Sequence, residues 1–289
     1  MCYFSDEEFR RQNRGIFTAE EISRIAKLFF PKSLQLVIGC GTEPTLYKNF
    51  PDIVSLAKSY RIPLVSLTSN GQLLTEAHLR SLISMKLDEI TLSVHGVQKT
   101  MYEKFMVQAS YEKLHEVLAL LDALKHESRT EYPQLRLNYT VNSENLEELA
   151  GFYESFGKYK IATLQVRPIM DIGGQYRTLL ESGKIERYNF IIERLSIESR
   201  KRGITFLANT ADPTYERENY HGVILPAVKR YISPQVVWQP EFDWRAETYD
   251  DYCWRVHWDK YLMQCALSTK KNVLHSNAEK YSARYEVLV

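Results

Sequence analysis

Residues 34–44, Leu-Gln-Leu-Val-Ile-Gly-Cys-Gly-Thr-Glu-Pro, join a short apolar run to a glycine-rich turn that ends in glutamate and proline. A run of branched apolar residues that stops at glycine is typical of a buried β-strand. Similar runs follow at residues 64–68, 89–94, 135–141, 162–167 and 204–207. Longer stretches with helical spacing separate them, and this alternation predicts parallel βαβ units in an α/β fold. A (β/α) barrel and an open doubly wound sheet both satisfy this pattern.

The helical stretches carry apolar residues three and four positions apart. Thr18 and Glu21 form a capping-box pattern, which predicts a helix before the first visible strand. Further helices are predicted around residues 53–57, 79–83, 111–124, 143–150 and 179–202.

The character of the sequence changes at about residue 209. All four tryptophans, Trp238, Trp244, Trp254 and Trp258, lie in one short stretch with no clear period. We predict a core domain over residues 1–208, which the family resemblance described below makes a barrel, and an aromatic-rich C-terminal extension over 209–289 that packs on it and covers it. We interpret the two cysteines there, at positions 253 and 265, as packing or surface thiols.

Composition excludes several classes of protein. Lys+Arg number 37 and Asp+Glu 36, so the net charge of +1 disfavours binding to nucleic acid without regard to sequence. No apolar run reaches the roughly 18–20 residues that cross a bilayer, and the acidic N-terminus is unlike a signal peptide. The chain has 4 cysteines, irregularly spaced, which is not a secreted disulfide framework. We therefore predict a cytoplasmic protein with no membrane partner.

Polar side chains follow several of the predicted strands. Ligands collect at the carboxyl ends of parallel strands, where glycines let the backbone approach them closely. Glu43 is suited to accept hydrogen bonds from an ammonium group. Each residue alone is more often a turn or a cap than a ligand contact, but together they predict a site for a polar small molecule. The set comprises Ser69, Asn70, Ser93, His95, Asn138, Thr140, Asn142, Gln165 and Arg167.

Four of these segments resemble, in order, the motifs of radical S-adenosylmethionine (SAM) enzymes. Residues 41–44, Gly-Thr-Glu-Pro, resemble the family's Gly-Gly-Glu-Pro, and residues 67–71 its Thr-Asn-Gly strand end. Residues 91–96 are similar to its Ser-Leu-Asp-Gly strand, and residues 137–142 to its fifth-strand segment. The opening Met-Cys-Tyr-Phe resembles the end of its Cys-x-x-x-Cys-x-x-Cys loop. The resemblance covers roughly residues 2–170.

The resemblance implies a partial (β/α)6 TIM-like barrel of parallel strands, here without its first strand. It implies a [4Fe–4S] cluster that reduces SAM to methionine and a 5′-deoxyadenosyl radical, with electrons from a donor such as flavodoxin or ferredoxin. The implied roles are as follows: Cys2 as the third cluster thiolate; Tyr3 beside the adenine; Gly41, Thr42, Glu43 and Pro44 at the methionine amino end; Ser69, Ser93 and Asn142 near the ribose and carboxylate; Arg167 near the cofactor or substrate.

One feature departs from the family. Three thiolates hold such a cluster, and Cys2 alone occupies a matching position, while Cys40 resembles a small buried apolar residue. We expect the parent protein to be an enzyme of unknown substrate, and this chain to be an inactive fragment truncated inside the cluster loop. That hypothesis predicts an exposed apolar edge at residues 34–39.

Two alternatives remain open. The first is a degenerate, non-catalytic barrel that binds SAM or a nucleotide. The second is an unrelated aldolase or isomerase barrel, which the lack of a lysine or paired carboxylates at the strand ends disfavours.

Overall fold

The structure is a computed structural model. It describes residues 11, 15–39, 41–169, 182–208, 230–235, 237, 241–267 and 286–287. These residues form two compact units: one contains residues 34–208 and 286–287, and the other contains residues 15–33 and 230–267, each within the described ranges.

The first unit is built on a single sheet whose strands lie side by side in chain order. The first six strands pair in parallel, and the seventh pairs antiparallel with the sixth. A doubly wound sheet reverses its strand order at a switch point, whereas this order runs in one direction, as in a barrel. The predicted α/β fold with parallel strands is confirmed. The strands are β1 (Gln35–Ile38), β2 (Leu64–Ser69), β3 (Glu89–Val94), β4 (Gln134–Val141), β5 (Ile161–Pro168), β6 (Thr205–Ala208) and β7 (Glu286–Val287).

Helices connect the parallel strands. One of the two longest helices begins at Tyr111, as predicted, and Ser110 caps it by accepting a hydrogen bond from the backbone N–H of Lys113. The other predicted helices begin three to nine residues away from the predicted positions, and the helix at Lys99–Phe105 was not predicted. The α-helix predicted over residues 143–150 does not form there: residues 143–147 are a turn, Glu148–Gly151 is a 3₁₀ helix, and the α-helix begins at Phe152. Side chains at 142 and 145 bond the loop's backbone N–H groups in place of helical carbonyls. The helices are α2 (Phe50–Ser59), α3 (Glu76–Ser84), α4 (Lys99–Phe105), α5 (Tyr111–Glu127), α6 (Phe152–Phe156) and α7 (Ile185–Lys201), after α1 (Ala19–Phe29) of the second unit.

The two faces of the sheet differ in polarity, because successive side chains of a strand point to opposite faces. One face carries buried apolar residues from every strand between β2 and β5, such as Leu67, Leu92, Leu137 and Leu164. The alternate positions are polar on three neighbouring strands, and the register aligns them in rows. These positions are Glu89, Thr91 and Ser93 on β3, Arg136, Asn138 and Thr140 on β4, and Thr163, Gln165 and Arg167 on β5.

β1 lies at an edge of the sheet, and among the described residues it pairs with β2 alone. Its side chains are only partly covered: Val37 is 43% exposed and the preceding Leu34 is 79% exposed. An exposed apolar edge is what the truncation hypothesis predicts at this place. The truncation itself stays a hypothesis.

The second unit contains α1, α8 (Tyr249–Arg255) and α9 (Trp258–Ala266). The capping box of Thr18 and Glu21 is present at the start of α1, as predicted. Phe29 of α1 packs edge-on against Phe242, and Arg24 donates a hydrogen bond of 2.7 Å to the carbonyl of Trp244. The predicted domain boundary at 208 and the predicted covering of the barrel by the extension stay predictions; Trp238 lies outside the described residues.

No helix among the described residues has the length and apolar character that crossing a bilayer requires. Likewise, no three His, Cys, Asp or Glu side chains in these ranges are grouped so as to hold a metal ion.

Candidate functional site

The turn after β1 approaches β2 too closely for a side chain at Gly39. The φ angle of Gly39 is +91°, and a Cβ there would lie 2.3 Å from the carbonyl oxygen of Thr68 and 2.7 Å from the Pro44 ring. Only glycine adopts this backbone at little cost. The turn therefore lies against the carboxyl end of β2.

The Glu43 carboxylate fastens this turn to β2. Oε1 accepts hydrogen bonds from the Thr45 backbone N–H (3.1 Å), the Thr45 hydroxyl (2.5 Å) and the Ser69 hydroxyl (2.8 Å). Oε2 accepts one from the backbone N–H of Asn70 (2.8 Å). A carboxylate offers about two acceptor positions on each oxygen, so three donors share Oε1 while Oε2 keeps one position that these four donors do not use. Glu43 thus holds the turn in place. Gly41 and Thr42, which are exposed, lie on the surface of this turn.

A row of polar side chains crosses the middle of the sheet at Ser93, Asn138 and Gln165, which are register partners. Asn138 is 6% exposed, and its side-chain oxygen Oδ1 has no hydrogen-bond partner in the described part of the chain. A buried amide oxygen without a partner costs about 1–3 kcal/mol, so it is a strong candidate to accept a hydrogen bond from a ligand.

An ion pair lies one row below. Arg136 donates to Oε2 of Glu89 through Nε (3.1 Å) and Nη2 (2.7 Å), and to Oε1 of Gln165 through Nη1 (3.3 Å). The two charged side chains are 29% and 18% exposed, respectively. This pair orients Gln165 and forms a polar floor beneath the row that contains Asn138.

His95 follows β3 at the same edge of the sheet. It is 6% exposed, and its Nδ1 accepts a hydrogen bond of 3.3 Å from the backbone N–H of Thr140. Burial lowers the pKa of His95 to about 3, and the positive charge of Arg167 acts in the same direction. His95 is therefore uncharged at neutral pH and unsuited to proton transfer there.

Because His95 is uncharged in the folded chain, we expect it to affect how the free energy of unfolding depends on pH. Below about pH 6.5 the unfolded chain binds a proton at His95 and the folded chain does not. The contribution of His95 to the free energy of unfolding is therefore complete above pH 6.5 and declines as the pH falls towards 3. The slope is about 1.4 kcal/mol per pH unit. Urea unfolding at pH 7.5 and pH 5.0 should show that His95→Asn loses about 2 kcal/mol less than wild type between them. An equal loss in both proteins contradicts the assignment.

The side chain of Asn142 is hydrogen-bonded to the loop that follows β4. It is fully buried, and its Oδ1 accepts hydrogen bonds from the backbone N–H groups of Glu144 (2.8 Å) and Asn145 (3.0 Å). Asn145 in turn donates from Nδ2 to the carbonyls of His95 (2.9 Å) and Thr140 (3.0 Å). These two asparagines join the loop after β4 to the end of β3.

The structure brings some predicted site residues together and leaves others outside its description. Glu43 and Ser69 are joined by a hydrogen bond, and Ser93 and Arg167 lie on the polar face of β3 and β5. Cys2, Tyr3 and Cys40 lie outside the described residues. The ligand roles given to Gly41, Thr42, Pro44 and Asn142 stay predictions.

Sequence reasoning missed the Glu89–Arg136 pair. Its signal was present, because polar residues occupy every second position of β3 and β4. Such alternation predicts a strand with one polar face, and the sequence analysis drew only on the polar residues at the strand ends.

Comparison with known proteins identifies related sequences. The profile of the radical SAM superfamily matches residues 1–156. Proteins named "Probable GTP 3′,8-cyclase" are similar to this chain. That of Saccharolobus solfataricus is 26% identical over 237 residues, or 81% of this chain and 71% of that protein. That of Sulfolobus acidocaldarius is 25% identical over 171 residues, or 58% of this chain and 52% of that protein.

Solved structures share the fold at low sequence identity. Streptococcus suis SuiB bound to S-adenosylmethionine matches with a TM-score of 0.58 and 16% identity, over 75% of this chain and 52% of that one. The structure titled "Native anSMEcpe with bound AdoMet" matches with a TM-score of 0.54 and 18% identity, over 66% of this chain and 55% of that one. The chain thus spans about half the length of these structures, which show its fold.

Proposed function

The chain belongs to the radical SAM superfamily, and from that premise we propose that it binds SAM on the rim formed by the Glu43 turn and the carboxyl ends of β3, β4 and β5. SAM and a [4Fe–4S] cluster are the cofactors of this enzyme family, and reductive cleavage of SAM is its general reaction. The family also requires a reductant, for which a flavodoxin or a ferredoxin is our candidate. The cytoplasm is the compartment we propose.

The residues of the rim fit the chemical groups of SAM. Backbone carbonyls at Gly41 and Thr42 suit its ammonium, and the guanidinium of Arg167 suits its carboxylate. The unpartnered Oδ1 of Asn138, with the Ser93 hydroxyl beside it, suits the ribose hydroxyls. This buried oxygen is the observation that carries the proposal, because a ligand donor would satisfy it.

The cysteines do not fit a four-iron cluster. Three thiolates are needed, and of Cys2, Cys40, Cys253 and Cys265 only Cys2 occupies a position that matches the family's cluster loop.

The substrate is open. The relatives named GTP 3′,8-cyclase make a purine nucleotide the first class to test, and identities of 25–26% do not carry their substrate to this chain. The polar floor of Glu89, Arg136 and Gln165 suits a ligand with several hydrogen-bonding groups.

Calorimetric titration with SAM tests the proposal. We expect one SAM per chain. Asn138→Ala should weaken binding about tenfold, because it removes the oxygen that accepts a hydrogen bond from the ligand. Asn49→Ala is the matched control, since Asn49 is an exposed asparagine whose side chain makes no capping hydrogen bond. Absence of SAM binding, or equal affinity in all three proteins, would contradict the proposal.

A second experiment separates an enzyme from a binder. An added upstream segment that completes the Cys-x-x-x-Cys-x-x-Cys loop at Cys2 should allow iron–sulfide-treated protein with dithionite to form 5′-deoxyadenosine from SAM. The chain of 289 residues alone should form none. If the completed protein binds SAM and still forms none, the non-catalytic alternative is supported.

A further inference from the structure

A cavity opens at the amino ends of β4 and β5, the edge of the sheet opposite to the Glu43 turn. Gln134 and Ile161, the first residues of these strands, line it, as does Ile204 just before β6. Its volume is about 470 Å³, which is in the range of sites for small molecules. A parallel strand rises about 3.3 Å per residue, so the length of β4 separates this cavity from the rim by roughly 20 Å.

The walls of the cavity carry more positive than negative charge. Lys125, Lys160 and Arg202 contribute three positive charges, and Glu131 is the one acidic side chain among the lining residues. The carboxylate of Glu131 lies 3.8 Å from the ammonium of Lys160, and both side chains are more than half exposed, so water weakens their attraction. The charge of the walls therefore favours an anionic occupant.

Lys125 is the buried member of this set. It lies near the end of α5 and is only 3% exposed. Its ammonium forms no hydrogen bond and no ion pair within the described part of the chain. Burial lowers the pKa of Lys125, because the charged form is poorly hydrated there. An ammonium with so little access to water and no partner is costly, and proteins seldom leave a buried charge in that state.

Asp122, about one turn earlier on α5, does not supply the missing partner. Its Oδ2 accepts a hydrogen bond of 3.0 Å from the backbone N–H of Lys160, and its Oδ1 is buried without a partner among the described residues. Burial raises the pKa of Asp122, which weakens it as a counter-charge. The ammonium of Lys125 is also not among the atoms sealed from solvent, so it is open to a ligand in the cavity that Lys125 lines.

We propose that this cavity binds an anionic small molecule through a phosphate or carboxylate group, which the buried ammonium of Lys125 receives. The anion would provide the hydrogen bonds and the counter-charge that no described residue gives Lys125. The more exposed Lys160 and Arg202 add positive charge that attracts it. The site shares no residue with the rim, so it is independent of the proposed binding of SAM.

Thermal unfolding and calorimetric titration of the 289-residue chain test the proposal. The probes are inorganic phosphate and, separately, citrate, with the ionic strength held constant by sodium chloride. We expect one anion per chain and a midpoint of thermal unfolding that rises with anion concentration, because a ligand of the folded state stabilises it. Tighter binding of phosphate or of citrate shows which of the two groups the site takes.

Lys125→Met keeps the length of the side chain and removes its charge. This variant should bind the preferred anion at least tenfold more weakly and lose the anion-dependent rise of the midpoint. Without added anion its midpoint should equal or exceed that of wild type, because an apolar group replaces an unpaired buried charge. Lys160→Met should weaken binding no more than about fivefold, since Lys160 is exposed. Lys113→Met, at a lysine of α5 that does not line the cavity, is the control and should change neither property.

Three results would overturn the inference. The first is the absence of binding of both anions by the wild-type chain at millimolar concentration. The second is wild-type affinity of Lys125→Met for the bound anion, which places that anion elsewhere on the protein. The third is a midpoint of Lys125→Met several degrees below that of wild type without added anion, which shows that the ammonium already has a partner in the fold.

Discussion

Replacing Gly39 with alanine will lower the free energy of unfolding by about 3 kcal/mol or more and abolish SAM binding. The new Cβ would lie 2.3 Å from the carbonyl oxygen of Thr68 and 2.7 Å from the Pro44 ring, and the φ angle of +91° is itself unfavourable for alanine. The turn must move away from β2, which breaks the contacts of Glu43. Thermal unfolding and SAM titration of the variant measure both effects.

Gly203→Ala is the matched control. Gly203 also has a positive φ, of +70°, but a Cβ there would meet no atom within 4 Å. We expect a cost of about 1 kcal/mol from the backbone alone and unchanged affinity for SAM. Similar costs in the two variants would show that the approach of the turn to β2 is not the constraint we describe.

Replacing Glu43 with glutamine will cost about 2–3 kcal/mol and reduce SAM affinity at least tenfold. The carboxylate accepts four hydrogen bonds, and in glutamine an NH₂ group must face one of the donors from Thr45, Ser69 or Asn70. One donor is then left without an acceptor and the negative charge is lost. Urea unfolding and SAM titration measure the two effects.

Glu76→Gln provides the comparison for Glu43. Glu76 is an exposed glutamate on α3 whose side chain pairs with Arg80, and removal of its charge should cost no more than about 0.5 kcal/mol. If Glu43→Gln lowers the free energy of unfolding as little as Glu76→Gln does, the carboxylate of Glu43 does not hold the turn against β2.

The sequence predicted the strands and the site's edge because these features depend on local patterns. Runs of branched residues located all six parallel strands, and glycine and polar residues marked where most of them end. Contacts over long separations were invisible to this reasoning. Arg24 and Trp244, for example, are 220 residues apart and bond within the second unit, and no periodic pattern connects them.

Asn138 and Asn142 show a second limit of prediction from the sequence. They lie four residues apart on β4 and just after it; the sequence placed both among the polar ligand candidates, and the resemblance gave Asn142 a place near the ribose and carboxylate, which stays a prediction. In the structure, the Oδ1 of Asn142 accepts from two loop N–H groups, while that of Asn138 has no partner in the described ranges. Residue type and position do not distinguish them, because the difference arises from the path of the loop.

Glu43 is another residue whose hydrogen-bond partners the sequence did not indicate. Its position after a glycine-rich turn suggested that it binds an ammonium group directly. In the structure four hydrogen bonds join its carboxylate to its own turn and to the end of β2, a structural role that the sequence did not indicate, and the ligand role of Glu43 stays a prediction.

A crystal structure of the chain with SAM tests the central claim most directly. We predict SAM on the rim, with its ammonium at the backbone of Gly41 and Thr42, a ribose hydroxyl donating to Oδ1 of Asn138, and its carboxylate beside Arg167. SAM bound elsewhere, or an empty rim at millimolar SAM with Oδ1 of Asn138 still unpartnered, would contradict the account.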